Sequence, residues 1–268
     1  MTRRILTLLL FILLPSLGLA QDFDVGLKAA QAGDFATALR EWRPLAEQGN
    51  PSAQRYLGAL YANGDGVLQD ASEAAKWYRL AAETGDAEAQ YWLGDLYGYG
   101  NGVPQDFAEA FKWFSLSADQ GNADALYDLG NMYRTGTGVT MDLAKAVRFY
   151  TLAADKGERR AQYNLGLAFI QGQGIPKDTS AALKWFRLSA NQDFAPSQHS
   201  LGVMFAAGDG VPKDLETAQM WFILASETGY DLAVTDRDGN ANSLSKMEQL
   251  MAQHRASYCR ASNFADCQ

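Results

Sequence analysis

The chain has 268 residues, 47% of them hydrophobic, and its 31 acidic against 23 basic side chains give a formal net charge of −8. That balance leaves no basic face on the scale that nucleic acid requires, which sets aside this class of partner. The only histidines are His199 and His254 and the only cysteines Cys259 and Cys267, and their spacing fits no zinc motif.

In chain order, the first element is a leader. MTRRILTLLLFILLPSLGLA places Arg3 and Arg4 before an apolar run from Ile5 to Leu14, then Pro15 and the small-x-small ending Gly18-Leu19-Ala20. Charged, apolar and cleavage regions in that order predict a secretory signal peptide over residues 1–20, cleaved after Ala20, and the run is too short to span a bilayer. Removing it leaves 21 basic and 31 acidic groups, a net charge of −10. No later stretch is apolar enough to cross a membrane, so a periplasmic or secreted protein is expected.

Residues 21–50 read as an N-terminal capping helical pair. Leu27 and Ala30 mark a short amphipathic segment, Gly33-Asp34 a tight turn, and Ala38, Trp42, Leu45 and Ala46 the buried stripe of a second helix. Residues 51–230 then hold five copies of a 36-residue pattern beginning at Pro51, Ala87, Ala123, Arg159 and Ala195, with no insertion between them. A strict period of this length signals a solenoid. Within the copies, Leu57-Gly58 returns as Leu93-Gly94, Leu129-Gly130, Leu165-Gly166 and Leu201-Gly202, each followed by an aromatic at Tyr61, Tyr97, Tyr133, Phe169 or Phe205. A Gly-x-Gly loop follows, closed by Asp70, Asp106, Asp142, Asp178 or Asp214, and then a second segment carries Trp77, Trp113, Phe149, Trp185 or Trp221.

Both segments have helical apolar spacing. Glycine inside a helix costs about 1 kcal/mol relative to alanine, so five glycines in one column imply close approach of the paired helix. The aspartates read as N-caps spread along the array rather than a convergent acid site, and Glu73 and Glu109 stand where a capping box would use them. The Trp77 column is expected in the core, and the basic column Lys76, Lys112, Arg148 and Lys184 on the solvated outer face.

Residues 231–268 lose the period and are expected to form a C-terminal capping helix and a cysteine loop. Asp231–Val234 begins another first helix, DRDGNANS reads as a polar turn, and Ser245-x-x-Glu248 opens a last helix with Met247, Leu250 and Met251 on one face. Asp236, Asp238, Asn240 and Asn242 alternate as calcium ligands would, but Ala241 stands where glycine is needed and Met247 where the final acid belongs. In an oxidising compartment Cys259 and Cys267 are expected to form a disulfide.

These columns, Ala-x-x-x-Leu-Gly-x-x-Tyr, Gly-x-Gly-Val-x-x-Asp and Lys-Ala-x-x-Trp-Tyr-x-x-Ala-Ala-x-x-Gly, resemble the Sel1-like repeat family, closely over 51–230 and loosely over 22–50. Asp193 departs from the pattern in place of a closing glycine, and Ser197 in place of a leading alanine. The resemblance implies an all-α, right-handed solenoid of antiparallel helix pairs, first helices lining a concave surface, in a family of adaptors. Cysteine-rich relatives have been linked to cell-wall material or β-lactams, but they carry a cysteine pair in each repeat, and these five copies carry none.

Once core positions are removed, two columns remain on the first helices. Two residues before each leucine stand Arg55, Tyr91, Tyr127, Tyr163 and His199; after each glycine stand Ala59, Asp95, Asn131, Leu167 and Val203. By analogy with tetratricopeptide helices both face the groove. Tyr91, Tyr127 and Tyr163 then form a ladder, with Asp95, Asp128, Asn131 and Arg134 supplying polar contacts for a protein or peptide partner. The same spacing is met if the tyrosines only pack between repeats. The expected function is a non-enzymatic, cofactor-free binding scaffold, in its most specific form a partner of a periplasmic sensor domain. The alternatives are an enzyme or ligand binder acting on cell-wall material or β-lactams, and a self-assembling structural protein.

Overall fold

The computed structural model describes residues 22–262, 264 and 267, so the expected leader lies outside the described residues. The described residues form fourteen helices and no strand. The first pair is α1 (Phe23–Gln31) and α2 (Phe35–Glu47). Then follow α3 (Pro51–Asn63) with α4 (Ala71–Glu83), α5 (Ala87–Tyr99) with α6 (Phe107–Asp119), and α7 (Ala123–Thr135) with α8 (Leu143–Asp155). The series continues with α9 (Arg159–Gln171) and α10 (Thr179–Ala190), α11 (Ala195–Ala207) and α12 (Leu215–Ser226), and closes with α13 (Asp231–Ala241) and α14 (Lys246–Ala261). Each helix packs on its neighbours in sequence, the all-α solenoid that the period predicts.

The repeated residues explain the pairing. Leu57, Leu93, Leu129, Leu165 and Leu201 are fully buried, or within 1% of it. The glycine after each leucine faces the second aromatic of the paired helix. A Cβ added at Gly58, Gly94, Gly130, Gly166 or Gly202 would stand 2.5–2.9 Å from the ring of Tyr78, Phe114, Tyr150, Phe186 or Phe222. These rings are the buried ones. The residue before each is less uniform: Trp113 and Trp221 are buried, while Trp77, Phe149 and Trp185 are partly buried and pack against the core from its edge. Gly26 meets Trp42 in the same way in the first pair.

Between the helices of each repeat the loop makes a fixed turn. Gly64, Gly100, Gly136, Gly172 and Gly208 end the first helices in the left-handed region that favours glycine. The column aspartates then cap the second helices, as Asp70 does by accepting from the N–H groups of Ser72 and Glu73. The capping box expected with Glu73 and Glu109 is not formed. The Asp70 and Asp106 N–H groups donate instead to the carbonyls of Tyr61 and Tyr97, which frees Glu73 for Lys76 and Glu109 for Lys112. A complete box occurs at Ser245 and Glu248. Lys76, Lys112, Arg148 and Lys184 are exposed.

A buried amide ties successive repeats. Gln54, Gln90, Gln162 and Gln198 donate from Nε2 to the carbonyls of Ala46, Ala82, Ala154 and Ala190 on the preceding helix. Leu126 occupies this column in the third copy.

The C-terminal region departs from expectation twice. DRDGNANS is mostly helix, because α13 runs through to Ala241, and a helical backbone cannot wrap its alternate acids around one ion. Asn240 anchors it by donating from Nδ2 to the Leu215 carbonyl and to Gln219. In α14 the face that packs is Ala252, Ala256 and Cys259, while Met247, Leu250 and Met251 are 68%, 52% and 49% exposed. The small side chains let α14 lie close to α12, which turns the longer ones outward. Cys259 and Cys267 lie at disulfide distance, with Cα atoms 4.8 Å apart.

Candidate functional site

The column of Arg55, Tyr91, Tyr127, Tyr163 and His199 sits over the seams between repeats. Tyr91, Tyr127 and Tyr163 pack on Phe114, Tyr150 and Phe186, at centroid distances of 5.8, 6.1 and 5.8 Å, and each ring leans on the core aromatic of its own repeat. Tyr91 is only 9% exposed, and its burial pushes the phenol well above its usual range. Tyr127 is covered by the Arg160 guanidinium, 4.2 Å from its centroid, and Arg160 is itself held by Asp124 and Glu158. Tyr163 also meets Phe194, and His199 meets Tyr230. Arg55 is engaged by Asp86 at 3.2 Å and lies over Tyr56. The structure does not stack these tyrosines on one another; each packs on the core of its own repeat, and Tyr127 is also covered from the next.

Along the described residues lie cavities in series, and three of them are bordered by the expected site residues. The first, of about 220 Å³, opens between α5 and α7 over the start of α6. Asp95, Asp128 and Asn131 converge there with Tyr99, Phe107, Phe114 and Met132. Burial pushes the Asp128 carboxyl up to about 6, against the pull of Arg160 and a hydrogen bond from Asn131, and burial also raises Asp95. A carboxylate in an apolar wall lacks the water that would stabilise its charge.

The second cavity, about 300 Å³, lies between α7 and α9 over α8. Arg134 reaches it and donates to the Tyr150 hydroxyl at 3.1 Å, and that hydroxyl donates to Asn131 Oδ1 at 2.8 Å. The third, about 360 Å³, lies between α9, α11 and α13 and is mostly apolar, with Tyr163, Leu167, Ile170, Val203, Tyr230 and Leu232 among its walls. At its edge His199 Nε2 meets Asp236 at 2.7 Å. The nearby Ser200 hydroxyl donates to the Pro196 carbonyl.

The expected site residues therefore separate into groups. Asp95, Asp128 and Asn131 share one cavity, Arg134 enters the next, and Tyr163 and His199 border the third. Arg55 and Tyr127 lie in none of the three, and Tyr91 is packing. Sequence reasoning did not find Tyr99, Phe107, Asn164 or Leu232 as lining residues; the first two flank the loop whose glycines draw the eye, and Leu232 lies beyond the period. Among the described residues no group of three or more His, Cys, Asp or Glu side chains is placed to hold a metal, and no helix is long and apolar enough to cross a membrane.

The Sel1 repeat pattern matches five times, at residues 51–86, 87–122, 123–158, 159–194 and 195–230. Among solved structures, the chain is similar to a Sel1 repeat protein from Oxalobacter formigenes, with 31% identity and a TM-score of 0.77 over 82% of this chain and 88% of that one. It is also similar to c5321, a protective antigen of uropathogenic Escherichia coli strains with an SLR fold, with 29% identity and a TM-score of 0.76 over 88% of this chain. The match spans 53% of the antigen's own length. Comparison with curated protein sequences gave no match. With five matched repeats covering most of its length and a solenoid that overlays on Sel1 structures, the chain belongs to the Sel1 repeat family.

Proposed function

We propose that this Sel1 repeat scaffold is exported and holds a segment of a partner protein along the face made by its first helices, the concave side of the array. The observation that carries this reading is the row of cavities from α5 to α13, whose linings join recurring residues such as Ala110, Tyr150 and Phe186 to residues that differ from repeat to repeat. Residues needed by the fold recur every 36 positions, whereas Asp95, Asn131, Leu167 and Val203 share a column and differ in chemistry. Such a row matches a chain segment better than a single small molecule.

Export is supported by the leader-like residues 1–20 and by the cysteine pair, which an oxidising compartment would join. In that compartment the periplasmic part of a membrane sensor is the most specific partner this reading offers. The test is photo-crosslinking in the producing cell, with a photoreactive phenylalanine at Tyr99 or Val203 on the cavity face and at Lys76 or Lys184 on the outer face. Adducts specific to the cavity face are expected. Trapping from the outer positions alone would overturn the groove. Mass spectrometry of the purified chain should find Gln21 as its first residue.

A further inference from the structure

We propose that the cavity between α5 and α7 is an anchor for a lysine or arginine side chain of the partner segment. The inference rests on the groove reading and names the chemistry of its occupant. The cavity is about 220 Å³ and largely apolar, with Ala110, Phe114 and Met132 in its wall. Such a wall accepts the aliphatic stem of a long basic residue, while its head group needs an acceptor.

Two acceptors face in from opposite sides, Asp95 on α5 and Asp128 on α7. Asp95 has no hydrogen-bond or ion-pair partner among the described residues, and Asp128 has the amide of Asn131 but no salt bridge. Arg160, whose charge acts on Asp128, is itself ion-paired with Asp124 and Glu158. The negative charge at this point is therefore left to be neutralised from outside. At the mouth, Tyr99 is 79% and Phe107 38% exposed, and aromatic faces beside an acidic pocket favour a cation further. Charge-assisted bonds to carboxylates out of bulk water are the stronger kind of hydrogen bond.

The test uses the mature chain and four blocked peptides, acetyl-Ala-Ala-X-Ala-Ala-amide with X as lysine, arginine, norleucine or glutamate, followed by NMR. The lysine or arginine peptide should shift the amide signals of Gly98 and Thr135 and bind at least roughly tenfold tighter than the norleucine peptide. The double variant Asp95→Asn/Asp128→Asn should bring all four peptides to one level. Because these changes are isosteric and remove desolvated charge, the variant is expected to melt no lower than wild type.

Binding of the basic peptides should weaken from about pH 7.5 to about pH 5, as Asp128 takes up a proton. Asp95 on α5, Asp124 on α7 and Arg160 on α9 are the other charges facing it, and the Asp128→Asn variant should show a flatter profile. Equal binding of norleucine and lysine peptides, or full binding by the double variant, would sink the anchor. So would competition by millimolar calcium, which would make the cavity a cation site. If the anchor fails while crosslinks at Val203 persist, the groove stands without it; if those crosslinks also vanish, the groove reading falls too.

Discussion

The cavity between α5 and α7 and the one between α9, α11 and α13 sit at equivalent places two repeats apart, yet they offer opposite chemistry. The first turns two carboxylates inward; the second is apolar, with a histidine–aspartate pair at its edge. The same columns build both. Asn131 corresponds to Val203, and the tyrosine column ends in His199. Each cavity also rests on the same device, a ring seated against a glycine. The period fixes where a cavity forms, and substitutions within the period decide what it can hold.

The largest expected effect breaks both cavities together. A side chain at Gly94 would start 2.8 Å from the Phe114 ring, and one at Gly166 2.6 Å from Phe186, so Gly94→Leu and Gly166→Leu should each lose roughly 3 kcal/mol in denaturant unfolding. Equal losses would show that the two seats are equivalent supports.

Next comes a change that separates them. Cys259→Ser with Cys267→Ser should destabilise the array by about 2 kcal/mol through α14, which backs α12 behind the apolar cavity. Hydrogen exchange should rise over 246–261 and stay unchanged over 87–135.

The third sharpens the acidic side. Asp128→Asn should stabilise the chain by roughly 1–2 kcal/mol at neutral pH, because the wild-type charge is desolvated. The Asp128 carboxyl titrates near 6 when folded, above its ordinary value of 3.8. Its contribution is therefore most favourable below about 4 and is lost as pH rises through about 6. The difference in unfolding free energy between wild type and Asp128→Asn should shrink as pH falls through that window.

The smallest concerns the apolar side. Asp236→Asn removes the charge facing His199 across a partly exposed gap, and less than about 1 kcal/mol is at stake. Faster exchange confined to 231–241 is the expected readout.

Much of this architecture was legible because five copies of one pattern average out local noise. Leu57, Gly58 and Asp70 announce a buried position, a close approach and a cap in every copy. The partner of the glycine was less plain, since Trp77 and Tyr78 are adjacent aromatics and only the helix rotation tells which ring seats against Gly58. Past Tyr230 there is no second copy to compare. Asp236, Asp238, Gly239 and Asn240 are poor helix formers, and α13 is helical because it packs on α12 and is pinned by Asn240. Met247, Leu250 and Met251 have the spacing of a core face, but the tighter fit of Ala252 and Ala256 won. At the site, spacing brought forward the helices that line the cavities. It did not show that Arg160 would spread over Tyr127 from the following repeat, or that Arg55 would be taken by Asp86, which caps α5.

One interruption of the glutamine ties changes how a single joint is held. Repeats joined only to their neighbours depend on each interface in turn, and at the start of α7 Leu126 stands where Gln54, Gln90, Gln162 and Gln198 bond a carbonyl of the helix before α3, α5, α9 and α11. Leu126 is buried in one core with Phe114, Ala118 and Leu129, so a directional bond gives way there to apolar packing. That joint borders the acidic cavity, whose frame is therefore set at this point by the shapes of side chains instead of by a bond.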